Sequence, residues 1–484
     1  MDVLQDPEFE QPETLVKQDD PANEITEGPV SRILTRDIQD NTYHLVLSLP
    51  VELLVEVFIW VIETHNGYRF PLPAQLTLGR VCRLWRNVIW RTPRLWTLIS
   101  IAASHTRCSA QAKLLKGWIG RAQGMPLRVH LKTHLLPQEP LELYDVFLAS
   151  SSQWASFSLS GGPFKQFCDR LRMSKPKFDL LASLVLCPYR QFLSSSASIQ
   201  WHFADAPQLR TLRSYENRAI GLARLPLHQI HDLEANFDTV EWLSLLGRLR
   251  SLRKCRLILN LSFAQPLPHE IVLPKLTELC ICVEHTSTLA PSCIGSILST
   301  ITVPRLQSLH VLRWYQRFPF SDLVNMIERS GNPLTRVSID VLELRETDLF
   351  DLLQNSPCLT ELSARRGLSL SDRIINLLNP QLPKASSITQ CLQDLKVFKY
   401  EGRIDFTPPS VISMLKARLQ YSQLPTPSST KLNLLQIRYT NTSWTDEHAS
   451  DDVEGLLLEA ASLKQFGTEV VIKSRKNFSN RNLY

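Results

Sequence analysis

One recurrence constrains this chain more than any other feature of it. The pattern Pro-x-Leu-x-x-Leu, or a close variant, returns as APQLRTLRSY at 206–215, QIHDLEANF at 229–237, LGRLRSLRKCRLIL at 246–259 and LPKLTELCICV at 273–283. It continues as VPRLQSLHVL at 303–312, NPLTRVSIDV at 332–341, SPCLTELSA at 356–364 and QCLQDLKVF at 390–398. The leading apolar positions Leu249, Leu276, Leu306, Leu334, Leu359 and Leu392 are spaced by 27, 30, 28, 25 and 33 residues. Periods of this size mean stacked units, because one unit cannot bury its apolar face without a neighbour.

Helical periods fill the intervals, at Val240–Leu249, Cys293–Ile301, Ser321–Arg329, Thr347–Gln354, Ser371–Leu378 and Ser410–Leu419. The pairs Ser321-Asp322, Thr347-Asp348 and Ser371-Asp372 are start signals for three of them. Pro304, Pro333 and Pro357 fall just before strands, where helices end. Each unit is therefore read as a strand plus a helix. The LxxLxL runs Leu276-Leu279-Ile281 and Leu306-Leu309-Val311 resemble a leucine-rich repeat, except that Glu284 and Trp314 stand where that repeat carries Asn or Cys. Units before residue 206 are harder to phase, although AQAKLLKGWIGRAQ at 110–123 reads as an amphipathic helix and Leu127–Leu131 alternates as a strand. At the far end, 423–430 reads as a loop, Leu432–Tyr439 and Val470–Ile472 as strands, and Asp451–Phe466 as a helix. With the polar tail KSRKNFSNRN these form a C-terminal cap.

A second stretch stands apart, LSLPVELLVEVFIWVIETHNGYRFPLPAQLTLGRVCRLWRNVIWRTPRLWTLISI at 47–101. Ser48 is a suitable N-cap, Pro50 suits a first turn and Glu52 suits the positive end of the helix dipole. Apolar residues follow at helical spacing, at Leu49, Leu53, Leu54, Val57, Phe58 and Val61, and the helix should fade at His65-Asn66-Gly67. Leu76, Leu78, Val81, Cys82, Trp85, Val88 and Ile89 repeat the helical period after Pro71-Leu72-Pro73. So small a unit finishes its burial against a partner, as an amphipathic helix does in a groove. Leu98–Ala102 is a short β-like run leading onward.

Leu49-Pro50-x-Glu52-Leu53-Leu54-x-x-Val57-Phe58, then Val81-Cys82-x-x-Trp85 and Leu95-Trp96, resemble an F-box. The runs Leu78–Trp85 and Thr92–Trp96 are similar to F-box proteins of mushroom-forming fungi. The connection from His65 to Leu72 departs from that pattern with a Gly-Tyr-Arg-Phe-Pro loop. The resemblance implies docking to the Skp-type adaptor of a cullin–RING ubiquitin ligase, with the rest of the chain recruiting a protein substrate. Matched residue by residue, it assigns adaptor binding to Leu49, Pro50, Leu53, Leu54, Val57, Leu76, Val81, Cys82, Trp85 and Trp96. Trp85 is assigned mainly to the module's own core. Arg80, Arg83 and Arg86 share one helical stripe, which is either a solvated face or a match for an acidic adaptor.

Charge and cysteine usage narrow the classes further. Residues 1–40 carry eleven Asp or Glu and three Lys or Arg, a net of −8, against +6 for the whole 484-residue chain. The first forty residues are expected to be a disordered acidic tail. The remaining +14 is diffuse and falls short of a nucleic-acid footprint. No apolar run reaches membrane-span length and the acidic start lacks a signal-peptide core. Ten cysteines without CxxC spacing read as reduced thiols of a cytoplasmic or nuclear protein.

No phosphate-binding loop, dinucleotide fingerprint, HExxH, GxSxG or kinase signature occurs. Gly161-Gly162 reads as a turn in preference to an anion cradle. Cys280 and Cys282 share a strand face and read as buried thiols, since two further zinc ligands are missing. His228 and His231 read as ordinary histidines, and no carboxylate pair suits acid–base work. Arg365-Arg366 and Lys473-x-Arg475-Lys476 read as solvated clusters, with an acidic or phosphorylated patch of a substrate as the sharper alternative.

The expectation is an α/β repeat protein without catalytic, metal or cofactor residues. It would comprise an acidic tail at 1–40, an all-α F-box-like module at 41–101, and an irregular leucine-rich-repeat-like solenoid at 102–484. Its expected function is the substrate-recognition subunit of an SCF-type ligase, its substrate-binding residues unassigned. The alternative is a repeat scaffold that binds the adaptor without promoting ubiquitylation.

Overall fold

The computed structural model describes residues 49–64, 73–103, 105–133, 139–162, 164–188, 203, 205–215, 225–237, 245–259, 270–283, 291–331, 334–379, 392, 394–422, 432–442 and 468–474. Three helices open it: α1 (Val51–Thr64), α2 (Ala74–Leu78) and α3 (Arg83–Arg91). The strands that follow are β1 (Leu98–Ala103), β2 (Leu127–Thr133), β3 (Trp154–Gly161), β4 (Ser183–Pro188), β5 (Thr211–Ser214), β6 (Asp232–Phe237), β7 (Lys254–Leu259) and β8 (Ile271–Val272). Then come β9 (Glu278–Val283), β10 (Ile301–Thr302), β11 (Ser308–Arg317), β12 (Arg336–Glu343), β13 (Glu361–Ser371), β14 (Val397–Asp405), β15 (Leu434–Thr442) and β16 (Glu469–Ser474). Between them lie α4 (Cys108–Arg121), α5 (Leu141–Ala149), α6 (Lys165–Ser174), α7 (Pro291–Thr300), α8 (Phe320–Ser330), α9 (Glu346–Gln354), α10 (Asp372–Leu377) and α11 (Pro408–Ser422).

Fourteen of these strands form one parallel sheet in strict chain order, and β8 pairs with β10 beside it. A parallel sheet whose strands never leave sequence order is a solenoid, each unit touching only its neighbours. The chain is thus a leucine-rich-repeat-like α/β solenoid.

The recurring motif explains the regularity. In Ala206-Pro207-Gln208-Leu209, Leu273-Pro274-Lys275-Leu276, Val303-Pro304-Arg305-Leu306 and Ser356-Pro357-Cys358-Leu359 the leucine N–H donates back to the first residue's carbonyl at 3.1–3.3 Å. Proline at the second position is pre-set for such a turn. The turn swings the leucine inward, and all four leucines are fully buried. Just after it, from Ala182 to Lys396, one carbonyl per unit accepts two successive N–H groups of the next unit at 2.7–3.1 Å. That repeated bond fixes the register, so inward positions align across strands. One inward row runs Ile99, Val129, Phe157, Leu184, Leu212, Leu233, Cys255, Leu279, Leu309, Val337, Leu362, Phe398 and Leu435.

Two arginines, Arg329 and the buried Arg418, tie the helical layer together. Arg329 at the end of α8 donates to the carbonyls of Leu298 (2.8 Å) in the last turn of α7 and Ile301 (2.7 Å) at the start of β10. Arg418 of α11 does the same three units later, donating to Leu378 (2.7 Å), Leu392 (2.7 Å) and Leu395 (3.2 Å). Each donates to carbonyls at a helix end or a turn, where intrahelical partners run out.

Several expectations change. The sheet starts at Leu98, so the β-like run after the helical module is already the first rung. The units before residue 206 are regular, with β1–β4 in the same sheet. The helical period over Leu76–Ile89 is two helices, because Cys82 is extended and its Sγ accepts the Trp85 N–H at 3.4 Å. Arg80 therefore sits in the intervening turn, off any helical stripe with Arg83 and Arg86. Arg86 spends its Nε on Gly79 O at 2.9 Å. The helices α8, α9 and α10 begin at or near their expected start signals, and Asp348 still closes the first turn of α9 by accepting the Arg345 N–H. Ser48, the loop of 65–72, most of the helix expected at Val240–Leu249, the 451–466 helix and the basic residues 475–476 lie outside the described residues.

Candidate docking surfaces

Helix α1 is apolar on two faces, and only one has a core to enter. Leu54, Val55, Phe58 and Ile62 are buried. Phe58 meets Trp85 edge-to-face at 4.8 Å, which holds Trp85 half-buried in the module. The opposite stripe of Leu53, Val57 and Trp60, at i, i+4 and i+7, points to solvent, with Leu53 52% and Trp60 66% exposed. Val81 and Leu84 are exposed on the second half of the module, as is Leu49. Pro50 begins the helix, its carbonyl accepting the N–H groups of Leu53 and Leu54 at 3.1 Å.

Of the residues assigned to adaptor binding, Leu49, Pro50, Leu53, Val57 and Val81 are at the surface. Leu76, Cys82 and Trp85 are half-buried. Leu54, 1% exposed, and Trp96 are corrections: both belong to the module's interior and offer nothing to a partner. Trp60 and Leu84 are exposed and were not singled out by the motif. The signal that finds Trp60 is its position seven residues after Leu53, on the same stripe. Six arginines and three glutamates make residues 49–96 net positive.

Trp96 explains how the module meets the solenoid. Its indole stacks on Trp90 (4.9 Å between centroids, 5° between planes) and packs edge-on to Trp118 of α4 at 5.6 Å. Its Nε1 donates to Ile89 O at 2.8 Å. The Arg121 guanidinium covers Trp90 at 4.5 Å. Buried Gln75 donates to Leu95 O (3.1 Å) and Leu98 O (3.2 Å), and Arg128 of β2 pairs with Glu63 of α1 at 2.6 Å. There is no linker: the helical module and the first rungs share one core.

The second surface is the sheet's outward face. Its middle row runs Ser100, His130, Ser158, Val185, Arg213, Glu234, Arg256, Cys280, His310, Ser338, Ser363, Lys399 and Gln436. The first strands present serines and the centre presents charge. Glu234 receives Tyr215 Oη at 2.9 Å and lies between Arg213 (3.6 Å) and Arg256 (3.8 Å). Burial and this carboxylate push the Tyr215 hydroxyl up to about 12. Lys254 pairs with Glu278 at 3.1 Å. This centre is neutralised from within and leaves little charge for a ligand.

Cys280 and Cys282 do share the outward face of β9, and both are buried. A hydrogen bond between them lowers the Cys282 thiol and raises Cys280, with Arg256 assisting the former. Among the described residues no cluster of three His, Cys, Asp or Glu could hold a metal ion. Gly161 is a close-approach glycine: a Cβ there would stand 1.7 Å from Thr133 O. The Gly162 N–H is already spent on Thr133 Oγ1 at 2.8 Å, so the pair cradles no anion. His228 and His231 fall in a short turn and at the entry to β6 without forming a ligand pair. Among the described residues no helix is long and apolar enough to cross a membrane.

Geometry thus defines a class, a strand–helix solenoid carrying an apolar-faced helical module at its start. Comparison adds little to it. No family model matches the chain, and no curated protein matches it. Among solved structures it is similar to TLR13 in complex with ssRNA13, at 12% identity and a TM-score of 0.32. That likeness covers 79% of this chain and 62% of the other, so this chain spans less than two thirds of that length.

Proposed function

We propose that this chain is the substrate-recognition subunit of an SCF-type cullin–RING ubiquitin ligase, acting in the cytoplasm or nucleus. The helical module at 49–96 acts as an F-box and docks a Skp-type adaptor. The solenoid holds a protein target, and catalysis belongs to other subunits. The chain's contribution is proximity, keeping a target lysine near a charged ubiquitin carrier.

One observation carries the reading: Leu53, Val57 and Trp60 form an exposed apolar stripe on a helix whose other face is already packed. A water-facing stripe of that kind is a cost unless a partner covers it. The net positive module suits an acidic adaptor and would speed encounter.

The test is a pull-down of the full chain with a Skp-type adaptor and a cullin, beside a Leu53→Asp, Val57→Asp double variant. Both positions are exposed, so circular dichroism should show both proteins folded. Adaptor and cullin are expected with the parent chain and neither with the variant. Adaptor without cullin would favour the scaffold reading. No adaptor binding by the folded parent chain would overturn both.

A further inference from the structure

The sheet shifts register once between β2 and β3 and once between β14 and β15, but its irregularities concentrate on the two strands either side of β12. β11 shifts register between Val311 and Trp314 and again before Arg317, and β13 shifts between Arg365 and Ser369. Both shifts contain an arginine with left-handed backbone, Arg313 at φ +57° and Arg366 at φ +62°. A residue with a Cβ adopts that conformation at a cost, and such positions concentrate at functional surfaces.

The shifts have a definite result. In β11, Leu309 and Val311 point inward, so strict alternation would send Arg313 into the core and Trp314 out. The bulge reverses this: Trp314 is buried while Arg313 and Tyr315 face solvent. In β13, alternation after Leu362 and Ala364 would bury Arg366, and the turn at Arg366-Gly367 brings it out. Gly367 (φ +63°) is required there, because a Cβ would stand 2.5 Å from Leu342 O. The two irregularities flank β12 and lock against it.

What they present is a composed surface. Arg366 sets Nε 2.8 Å and Nη2 2.9 Å from the carboxylate of Asp340, which is buried beneath it. The same guanidinium lies over the Tyr315 ring at 5.5 Å. Tyr315 (45% exposed) and Leu342 (49%), each just after a paired position of β11 and β12, both face solvent there. Arg313 and Arg317 flank them, and among the described residues no ion pair engages either. Glu343 is the one exposed carboxylate among the described residues of β11 and β12. Tyrosine and arginine are enriched among the residues that carry most of the binding energy at protein interfaces, and the exposed leucine beside them is apolar area left for a partner to cover.

Building on the receptor reading above, we infer that the bulged edge of β11–β13 is the target-binding site, and that its occupant is an acidic peptide segment bearing an apolar side chain. The apolar group packs on Tyr315 and Leu342, and a carboxylate meets Arg313. Arg366 is a positioning residue, fixed by Asp340 and holding the Tyr315 ring.

The test uses the full chain and a phage library of random dodecamers. Selected peptides are expected to pair Asp or Glu with Leu or Phe, and to bind more weakly as salt rises. Synthetic copies should lose about tenfold or more in affinity to the Arg313→Glu chain and to the Tyr315→Ala chain. Both positions are exposed, and unchanged melting curves would confirm folding. Selected peptides without acidic residues, peptides indifferent to both substitutions, or no selection at all would each overturn the site. The adaptor pull-down tests the ligase reading independently, because Arg313→Glu leaves the helical module untouched.

Discussion

Two regions of this chain handle apolar surface in opposite ways. Along most of the solenoid, the strands put apolar side chains inward and serines or charges outward, with Tyr315 and Leu342 at the bulge as exposed exceptions. In α1, Leu53 and Leu54 are neighbours in the chain and both apolar, yet one is half exposed and the other sealed. The solenoid buries its surface by repetition, since every unit has a neighbour to lean on. The module has a neighbour on one side only, and what remains open is apolar. That asymmetry, more than any single residue, separates a region whose apolar surface is mostly covered by its own repeats from one that leaves an apolar stripe open.

The comparison breaks most completely where the two regions join. Trp96→Ala removes the stack on Trp90, the contact with Trp118 and a buried hydrogen bond, and should cost about 3–5 kcal/mol. Thermal unfolding should then show the module melting ahead of the solenoid in place of one joint transition.

It sharpens at the adjacent leucines. Leu54→Ala should destabilise by about 2–5 kcal/mol and Leu53→Ala by no more than about 0.5 kcal/mol, read by denaturant unfolding. Adaptor binding should show the reverse order of sensitivity once the Leu54 variant is measured below its melting point.

The smallest effect lies on the outward face. His130 is half-buried beside Arg128, and both burial and that charge lower its pKa from 6.5. The unfolded chain then binds the proton more readily, so stability is complete above pH 6.5 and falls as pH drops toward the folded value. His310, lowered by burial, adds to the same slope. His130→Gln should flatten that acid limb without altering stability at neutral pH, as melting temperature against pH would show.

Much of the fold was legible because the motif does mechanical work. Proline at the second turn position and leucine at the fourth mark four of the places where the chain enters the sheet, at Pro207, Pro274, Pro304 and Pro357. β3 and β4 lack that proline turn, and the eye finds no phase there. Cys82 hides a helix break because its neighbours keep the helical period across the turn. The exposed apolar stripe was legible at Leu53 and Val57, while Leu54 and Trp96 share the motif and serve the core. The surface on β11–β13 was not legible beyond the Arg365-Arg366 pair. Left-handed arginines have no sequence signature, and reversed alternation shows only when strands are laid side by side.

The absence of a linker between Trp96 and β1 turns order along the chain into distance. β12 lies nine strand-to-strand steps from β1, roughly 43 Å along the sheet. A cargo on the bulged edge would be carried at a fixed offset from whatever grips α1. Removing one strand–helix unit between them would shorten that reach by roughly 5 Å and rotate the cargo, with both contacts intact. In such an arm, unit number is a mechanical setting.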